Sequence, residues 1–299
     1  MKDNINIGID IGGSHVAIGL VSDEGEILEQ FEKDYTVEEK KNLINVAIDF
    51  IVKTVEDLKS SYTFSKIGIG VPGTISKGII LKSVNLGLEN YDLKKVLEDR
   101  LNITINIKND AKCAAVGEYV YGVAKNYENV LFLTLGTGIG GAYLYKGKLL
   151  EGTNYSGTEF GHIIIKENGI LCRCGKAGCF ERYGSILTYK TKVIERLGLS
   201  HDLAGPELRK IIENSQDKIQ DIQDEYLNDL SIGLSNLINI FEPDCVILGG
   251  GFARYDYILG AKLKEKLLNS NLLFNKRDDI IIMPASLGNE AGIIGASLI

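Results

Sequence analysis

The chain has 299 residues, and its 33 basic and 40 acidic side chains give a net charge of −7. This acidic balance argues against nucleic acid or an anionic membrane surface as the main partner and favours a soluble protein that acts on small molecules. The length fits two domains of ordinary size. The first residues show no secretory signal, and no apolar run is long enough to span a membrane. We therefore expect a cytoplasmic protein with reduced cysteines, which favours metal or thiol chemistry over disulfides.

The N-terminal half begins with a strand signal, the glycine pair Gly12 and Gly13, and a return strand, which together predict a tight hairpin. Apolar residues then recur at helical spacing, followed by short buried-strand patterns and a second helix signal. The predicted elements are strands at 5–11 and 16–21, a helix at 38–59, strands at 67–71 and 103–107, and a helix at 111–121.

The second half repeats this opening, because residues 132–148 again read as strand, glycine turn and return strand. Helices are expected around 184–197, 206–214 and 217–241, then a buried strand at 245–248 and a small-residue helix at 288–299. Two similar α/β halves are indicated, with the boundary near 110–125. We place one domain at 1–115, joined by the helix at 289–299, and the other at 116–288, with a ligand cleft between them.

Three glycine clusters follow apolar strands and predict phosphate contacts, because glycine lets backbone N–H groups approach a phosphate closely. They are Gly12 and Gly13, then Gly136 to Gly141, and then Gly249, Gly250 and Gly251. Asp10 offers a carboxylate for hydrated Mg²⁺, and Ser14 and Thr137 offer hydroxyls for phosphate oxygens. Such turns are common in proteins that bind nothing there, so each alone is weak evidence. Together they indicate a nucleotide.

Two familiar nucleotide motifs are absent. Gly136, Gly138 and Gly141 satisfy G-x-G-x-x-G, but a strand-like segment follows where the dinucleotide motif needs a helix. No G-x-x-x-x-G-K-[ST] sequence occurs either. A Rossmann dehydrogenase is therefore disfavoured, and an ordinary P-loop is excluded.

Asp110 lies between a predicted strand and a predicted helix, where its carboxylate could accept the proton of a substrate hydroxyl that attacks a γ-phosphate. The alternative is that Asp110 only caps the helix beginning at Ala111, and the local sequence favours this structural role. Glu159 and Glu181 could hold sugar hydroxyls, although isolated glutamates are more often solvated surface groups. Position alone does not separate these alternatives.

A metal site is predicted at 162–179, where the spacing is H-x9-C-x-C-x4-C. Three thiolates and one imidazole form a closed tetrahedral set that is typical of structural zinc, and nearby glycines allow the chain to curl around an ion. The C-x-C spacing is not that of a thioredoxin-like redox pair. The predicted zinc ligands are His162, Cys172, Cys174 and Cys179.

Taken together, these segments resemble the ROK family of bacterial sugar kinases and repressors. The matching stretches, in order, are DIGGSHVAIG at 10–19, NDAKCAA at 109–115, LGTGIGG at 135–141, TEFGH at 158–162, CRCGKAGCFE at 172–181, LGGGF at 248–252 and GNEAGIIGAS at 288–297. The resemblance implies an α/β fold of the actin-like, ribonuclease-H-like type: a duplicated two-domain ATPase that binds ATP and a hexose between its domains, with the last helix returning to the N-terminal domain.

The resemblance also assigns roles. It makes Asp110 the general base on the sugar 6-hydroxyl, and it implies that one nitrogen of His162 binds zinc while the other faces the sugar. The expected substrate contacts are Asn109, Glu159, His162, Glu181, Gly73, Thr74 and Ser83. The expected nucleotide contacts are Asp10, Gly12, Gly13 and Ser14 in the first phosphate motif, Gly136, Thr137 and Gly138 in the second, and Gly249, Gly250 and Gly251 in the adenosine motif.

The chain departs from the family pattern at a few positions. Ser14 replaces the usual threonine, and His15 stands where lysine is common. Gly157 and Thr158 replace the usual alanine and glycine, and Ala142 ends the second phosphate motif where a third glycine is common. These differences bear on substrate geometry rather than on the type of reaction.

We therefore expect an ATP-dependent hexokinase of glucokinase type that uses Mg²⁺, carries structural Zn²⁺ and forms a homodimer, with a tetramer left open. The alternative within this class is an N-acetylmannosamine or N-acetylglucosamine kinase, and the loop with Gly73, Thr74, Ser83 and Asn85 is expected to decide. A sugar-responsive repressor is disfavoured, because the first phosphate motif begins near residue 7 and leaves no room for a DNA reader. An actin-like filament ATPase would not explain the cysteine loop.

Overall fold

The computed structural model describes residues 5–64, 66–152, 157–274 and 279–299. It divides into two compact units. Unit 1 comprises Met1–Asn126, Lys148–Thr158 and Asn289–Ile299, and unit 2 comprises Tyr127–Gly147 and Glu159–Gly288. Within the described ranges, no helix combines the length and the apolar character needed to cross a lipid bilayer.

The strands are short, as is usual in α/β units. They are β1 (Asn6–Ile11), β2 (His15–Val21), β3 (Ile27–Asp34), β4 (Lys66–Val71), β5 (Thr74–Ser76), β6 (Ile79–Ser83), β7 (Leu88–Tyr91), β8 (Thr104–Asn109), β9 (Val130–Leu135), β10 (Ile139–Tyr145), β11 (Lys148–Leu149), β12 (Cys245–Gly250) and β13 (Ile282–Pro284).

The predicted helices are present with ends shifted by a few residues, whereas α2 and α8 were not predicted from the sequence. They are α1 (Leu43–Lys59), α2 (Leu93–Leu101), α3 (Asp110–Val120), α4 (Glu181–Gly184), α5 (Ile186–Leu197), α6 (Gly205–Asn214), α7 (Gln216–Phe241), α8 (Asp256–Asn269) and α9 (Ala291–Ser297). The predicted helix at 38–59 begins later, because residues 39–42 form a 3₁₀ turn. The helix predicted at 288–299 is likewise split into a 3₁₀ turn and α9.

Unit 1 is built on a five-stranded sheet with the order β3-β2-β1-β4-β8. Strands β1, β2 and β3 are antiparallel neighbours, whereas β1, β4 and β8 run parallel. One face packs its isoleucines against α1 and α2 in a continuous apolar core. A smaller sheet, β5-β6-β7, belongs to the same unit.

The other face of this sheet is covered by α9, which packs directly on the backbone of β1 and β4. A Cβ atom at Gly8 would lie 1.9 Å from the carbonyl oxygen of Ile293, and one at Gly68 would lie 1.7 Å from that of Ala296. Only glycine permits this approach, since any side chain would push the helix away. Helix α9 therefore belongs to unit 1, together with the N-terminal strands.

Unit 2 repeats the strand arrangement that opens unit 1. Its strands lie in the order β10-β9-β12-β13, with β9 and β10 antiparallel and β9, β12 and β13 parallel. Helices α5, α7 and α8 pack on this sheet around a core that includes Phe180, Tyr189 and Tyr226. The repeat of strand, glycine turn and return strand predicted from the sequence is confirmed.

Candidate active site and metal centre

The candidate site in unit 1 lies at one edge of the five-stranded sheet. Because β1, β4 and β8 are parallel and in register, with Asp10 beside Gly70 and Val71 beside Asn109, their carboxyl ends meet at the same edge. Ligands of open α/β sheets bind at such edges. The turn after β1, the loop after β4 and the start of α3 are therefore close together.

The first glycine turn joins β1 to β2. The Gly12 backbone N–H donates to the carbonyl oxygen of His15 at 2.9 Å, and the Tyr35 N–H donates to that of Ser14 at 2.8 Å. Gly13 and Ser14 are exposed at the tip of the turn. Tyr35 follows β3, a strand that the sequence analysis did not predict, so its support of the turn was missed.

Asp10 and Asp110 form a pair of carboxylates at this edge, and both are largely enclosed by protein atoms. Burial raises the pKa of Asp10 to about 6, the negative charge of Asp110 raises it further, and His15 acts in the opposite direction. Burial also raises the pKa of Asp110, although hydrogen bonds from the Ala111 backbone and the Asn109 side chain oppose this. Two carboxylates with raised pKa values are common at functional sites.

The capping of α3 corrects the structural alternative for Asp110. Asn109 is the N-cap, because its side-chain oxygen accepts from the backbone N–H groups of Ala111 at 3.0 Å and Lys112 at 3.3 Å. Asp110 is the first helical residue, and its Oδ1 accepts from the Ala111 N–H at 2.8 Å. The helix thus obtains its cap from the preceding residue rather than from Asp110.

The loop after β4 contacts Asn109, the residue that caps α3. The Asn109 side-chain amide donates to the carbonyl oxygen of Gly73 at 3.1 Å. Gly73 has a φ of +121°, and a Cβ there would lie 2.4 Å from the Lys82 carbonyl oxygen. Thr74 begins β5, and the buried Ser83 ends β6 with its hydroxyl accepting from the Leu86 N–H at 3.3 Å. The structure therefore brings Gly73, Ser83 and Asn109 together.

The candidate phosphate turns of unit 2 emerge side by side. Gly249 and Gly250 at the end of β12 lie in register with Thr134 and Leu135 at the end of β9. In the turn that follows β9, the Gly136 N–H donates to the carbonyl oxygen of Gly138 at 3.0 Å, and Thr137 is exposed. The second phosphate motif and the proposed adenosine motif, which continues to Gly251, thus share one sheet edge.

The four predicted metal ligands form a cluster in unit 2. One donor atom from each of His162, Cys172, Cys174 and Cys179 lies within 4.8 Å of the others. The Cys172 Sγ is 3.7 Å from the His162 Nδ1, and the Cys174 Sγ is 3.5 Å from the Cys179 Sγ. Two thiolates that bind one zinc ion tetrahedrally lie about 3.8 Å apart. The donor set and its spacing fit a zinc ion.

Glu181 adjoins both this cluster and the second phosphate turn. Its Oε1 is 2.9 Å from the Cys172 Sγ and 3.8 Å from the His162 Nδ1. Its Oε2 lies 2.5 Å from where a Cβ would stand at Gly138. Glu159 is exposed just before a 3₁₀ turn, and its carbonyl oxygen accepts from the His162 N–H at 3.0 Å. Three of the residues expected to hold sugar, Glu159, His162 and Glu181, therefore group around the cysteine loop.

Comparison with known proteins agrees with this architecture. The ROK family model matches residues 6–299. A glucokinase of Thermotoga maritima is 32% identical over 98% of this chain and 96% of its own length. The xylose repressor of Bacillus subtilis is 30% identical, and the match covers all of this chain and 77% of the repressor. The chain belongs to the ROK family.

A solved structure supports the same placement. The ROK glucokinase of Streptomyces griseus, crystallised with glucose and AMPPNP, is 29% identical and superposes with a TM-score of 0.80 over 98% of both chains. The actin-like two-domain ATPase fold expected from the sequence is therefore confirmed.

Proposed function

We propose that the protein transfers the γ-phosphoryl group of ATP to the 6-hydroxyl of a hexose, with glucose as the preferred sugar. The observation that carries this proposal is the arrangement at one edge of unit 1, where Asp10 and Asp110 lie beside an exposed glycine turn. Phosphoryl transfer needs a phosphate cradle, a metal ligand and a base, and this edge offers all three.

Asp110 is the general base of the proposed reaction. Its carboxylate accepts the proton of the sugar 6-hydroxyl as that oxygen bonds to the γ-phosphorus and the bond to ADP breaks. The raised pKa of Asp110 suits this role, because a base is more effective when its pKa is closer to the working pH. Asn109 caps α3 and thereby fixes the position of Asp110 on the first helical turn.

Asp10 and the glycine turns hold the nucleotide in this proposal. Asp10 binds the hydrated Mg²⁺ that neutralises charge on the phosphates, and the turn at Gly12, Gly13 and Ser14 contacts the phosphate oxygens. The turns at 136–138 and 249–251 complete the nucleotide contacts. Burial disfavours a negative charge on Asp10, so a divalent cation there would compensate the cost of its ionisation.

The cysteine loop has an indirect role. A zinc ion held by His162 and the three cysteines would order Glu181, whose carboxylate lies against Cys172, and would leave the His162 Nε2 free for a sugar hydroxyl. Gly73, Thr74, Ser83 and Glu159 are further sugar contacts in this proposal. We place the enzyme in the cytoplasm as a homodimer, as expected from the sequence.

The base assignment is tested by Asp110→Ala, with the exposed Asp57→Ala on α1 as a matched control. We expect the Asp110 variant to lose about 10²–10⁴-fold in kcat, the range typical of a positioned base, while calorimetry still detects glucose binding. The control should keep wild-type turnover. Normal turnover in Asp110→Ala would exclude it as the base.

The sugar is identified by a panel of glucose, mannose, fructose, N-acetylmannosamine and N-acetylglucosamine with ATP, followed through ADP release. Glucose should give the highest kcat/KM. A higher value for either N-acetyl sugar would favour the alternative kinase, and no turnover with any sugar would reject the proposed kinase activity.

A further inference from the structure

A second cluster of metal-ligating side chains lies in unit 1, on the strands β2 and β3. His15 is paired with Asp34 across the two strands, and Glu32 lies two residues before Asp34. Side chains of directly opposed residues, and of residues two apart, point to the same face of a sheet. One donor atom from each of His15, Glu32 and Asp34 lies within 4.8 Å of the others.

The distance between His15 and Glu32 fits ligands of a shared ion. The His15 Nε2 is 3.9 Å from the Glu32 Oε1. Two ligands that are each about 2.1 Å from one ion are separated by about 3.0–4.2 Å, depending on the angle between them. Ala17 is the residue opposite Glu32, so only a methyl side chain stands at that position of β2.

The imidazole is already oriented for binding. The Ser14 Oγ lies 3.1 Å from the His15 Nδ1, which leaves the Nε2 directed towards the Glu32 carboxylate. A hydrogen bond to one ring nitrogen is the usual way in which a metal-binding histidine is held in place. With a metal on Nε2, the Nδ1–H would donate to Ser14 and would link the ion to the first glycine turn.

The charges also favour a cation. Two carboxylates face one imidazole, and among the described residues Glu32 forms an ion pair with His15 alone, while Asp34 forms none. The neighbouring Lys33 points to the opposite face, where it pairs with Glu39 at 2.8 Å. No described lysine or arginine therefore neutralises the cluster.

We propose that His15, Glu32 and Asp34 form a second metal site, which takes a divalent transition-metal ion such as Mn²⁺ or Zn²⁺. One imidazole and two carboxylates suit such ions, whereas the thiolates of the cysteine loop select softer metals. Three protein ligands leave coordination positions open to water or to a ligand oxygen. The donors of this site are distinct from those of the cysteine loop and do not include Asp10, although His15 lies close enough to Asp10 to influence its pKa.

The site can be tested with Mn²⁺, because this ion avoids thiolates and broadens the NMR signals of nearby nuclei. The full-length protein, dialysed free of weakly bound metal, is titrated without nucleotide or sugar. The chain has three histidines, so the ring signals of His15 can be compared with those of the exposed His201. We expect substoichiometric Mn²⁺ to broaden His15 and to leave His201 sharp.

Variants on β3 then identify the ligands. Glu32→Gln and Asp34→Asn should each weaken Mn²⁺ binding, measured by EPR, by at least about tenfold. Glu29→Gln is the matched control, since Glu29 lies on the same strand and points to the opposite face. Asp10→Asn should keep the site. Unbroadened His15 signals, or equal affinity in wild type and Asp34→Asn, would overturn the proposal.

Discussion

Asp10→Asn should stabilise the folded protein while abolishing its kinase activity. The folded state raises the pKa of this carboxyl from 3.8 to about 6, chiefly by burial. Between these two values the folded state therefore keeps a proton that the unfolded chain has released. The wild-type protein must lose stability as the pH rises through this window, and the loss remains at higher pH.

The magnitude follows from the same shift. Each tenfold change in proton affinity corresponds to about 1.36 kcal/mol, so the full shift amounts to about 3 kcal/mol, and the residual solvent contact of Asp10 reduces the expected effect to about 1–3 kcal/mol. Asparagine has nearly the same shape and cannot ionise. It should therefore remove this loss of stability, and it should also remove the proposed Mg²⁺ ligand.

The assay is urea unfolding of wild type and Asp10→Asn from pH 4 to pH 7.5, without nucleotide or divalent metal. The variant should gain stability relative to wild type as the pH rises, with the difference constant above about pH 7. Asp23→Asn, at an exposed aspartate, is the control and should show no such trend. A stability difference that is independent of pH, or a variant less stable than wild type at pH 7.5, would refute the reasoning.

Two further predictions concern unit 2 and the segment that leads into it. Cys174→Ser should lower the zinc content and raise the KM for the sugar, whereas Arg173→Ala in the same loop should do neither. Loss of zinc with an unchanged KM would show that the loop has a structural role only. Thr158→Gly should stabilise the protein by about 0.5–1 kcal/mol, because Thr158 has a φ of +68°, a left-handed conformation that costs a β-branched residue about 1–2 kcal/mol. Thr158→Ala keeps that strain, and equal urea midpoints for the two variants would contradict the argument.

Several elements were hidden from sequence patterns. Strand β3 is the outermost strand of its sheet, and most of its residues are polar and exposed. It therefore lacks the apolar run that marks a buried strand. The short strands β5 to β7 are interrupted by turns and offer little periodicity. The role of Asn109 as the cap of α3 was also missed, since an adjacent aspartate is an equally good cap by residue type.

The sequence by itself determined the strand, glycine turn and return strand of both halves, the long helices and the four donors of the cysteine loop, because these depend on local periodicity and on the chemistry of residue types. Only the tertiary structure decided which distant residues meet. It brings Asp10 beside Asp110, Glu181 beside Cys172, and His15 beside Glu32 and Asp34. The contacts on the unit 1 sheet depend on strand order and register, which arise from packing of the whole unit, and no local pattern encodes them.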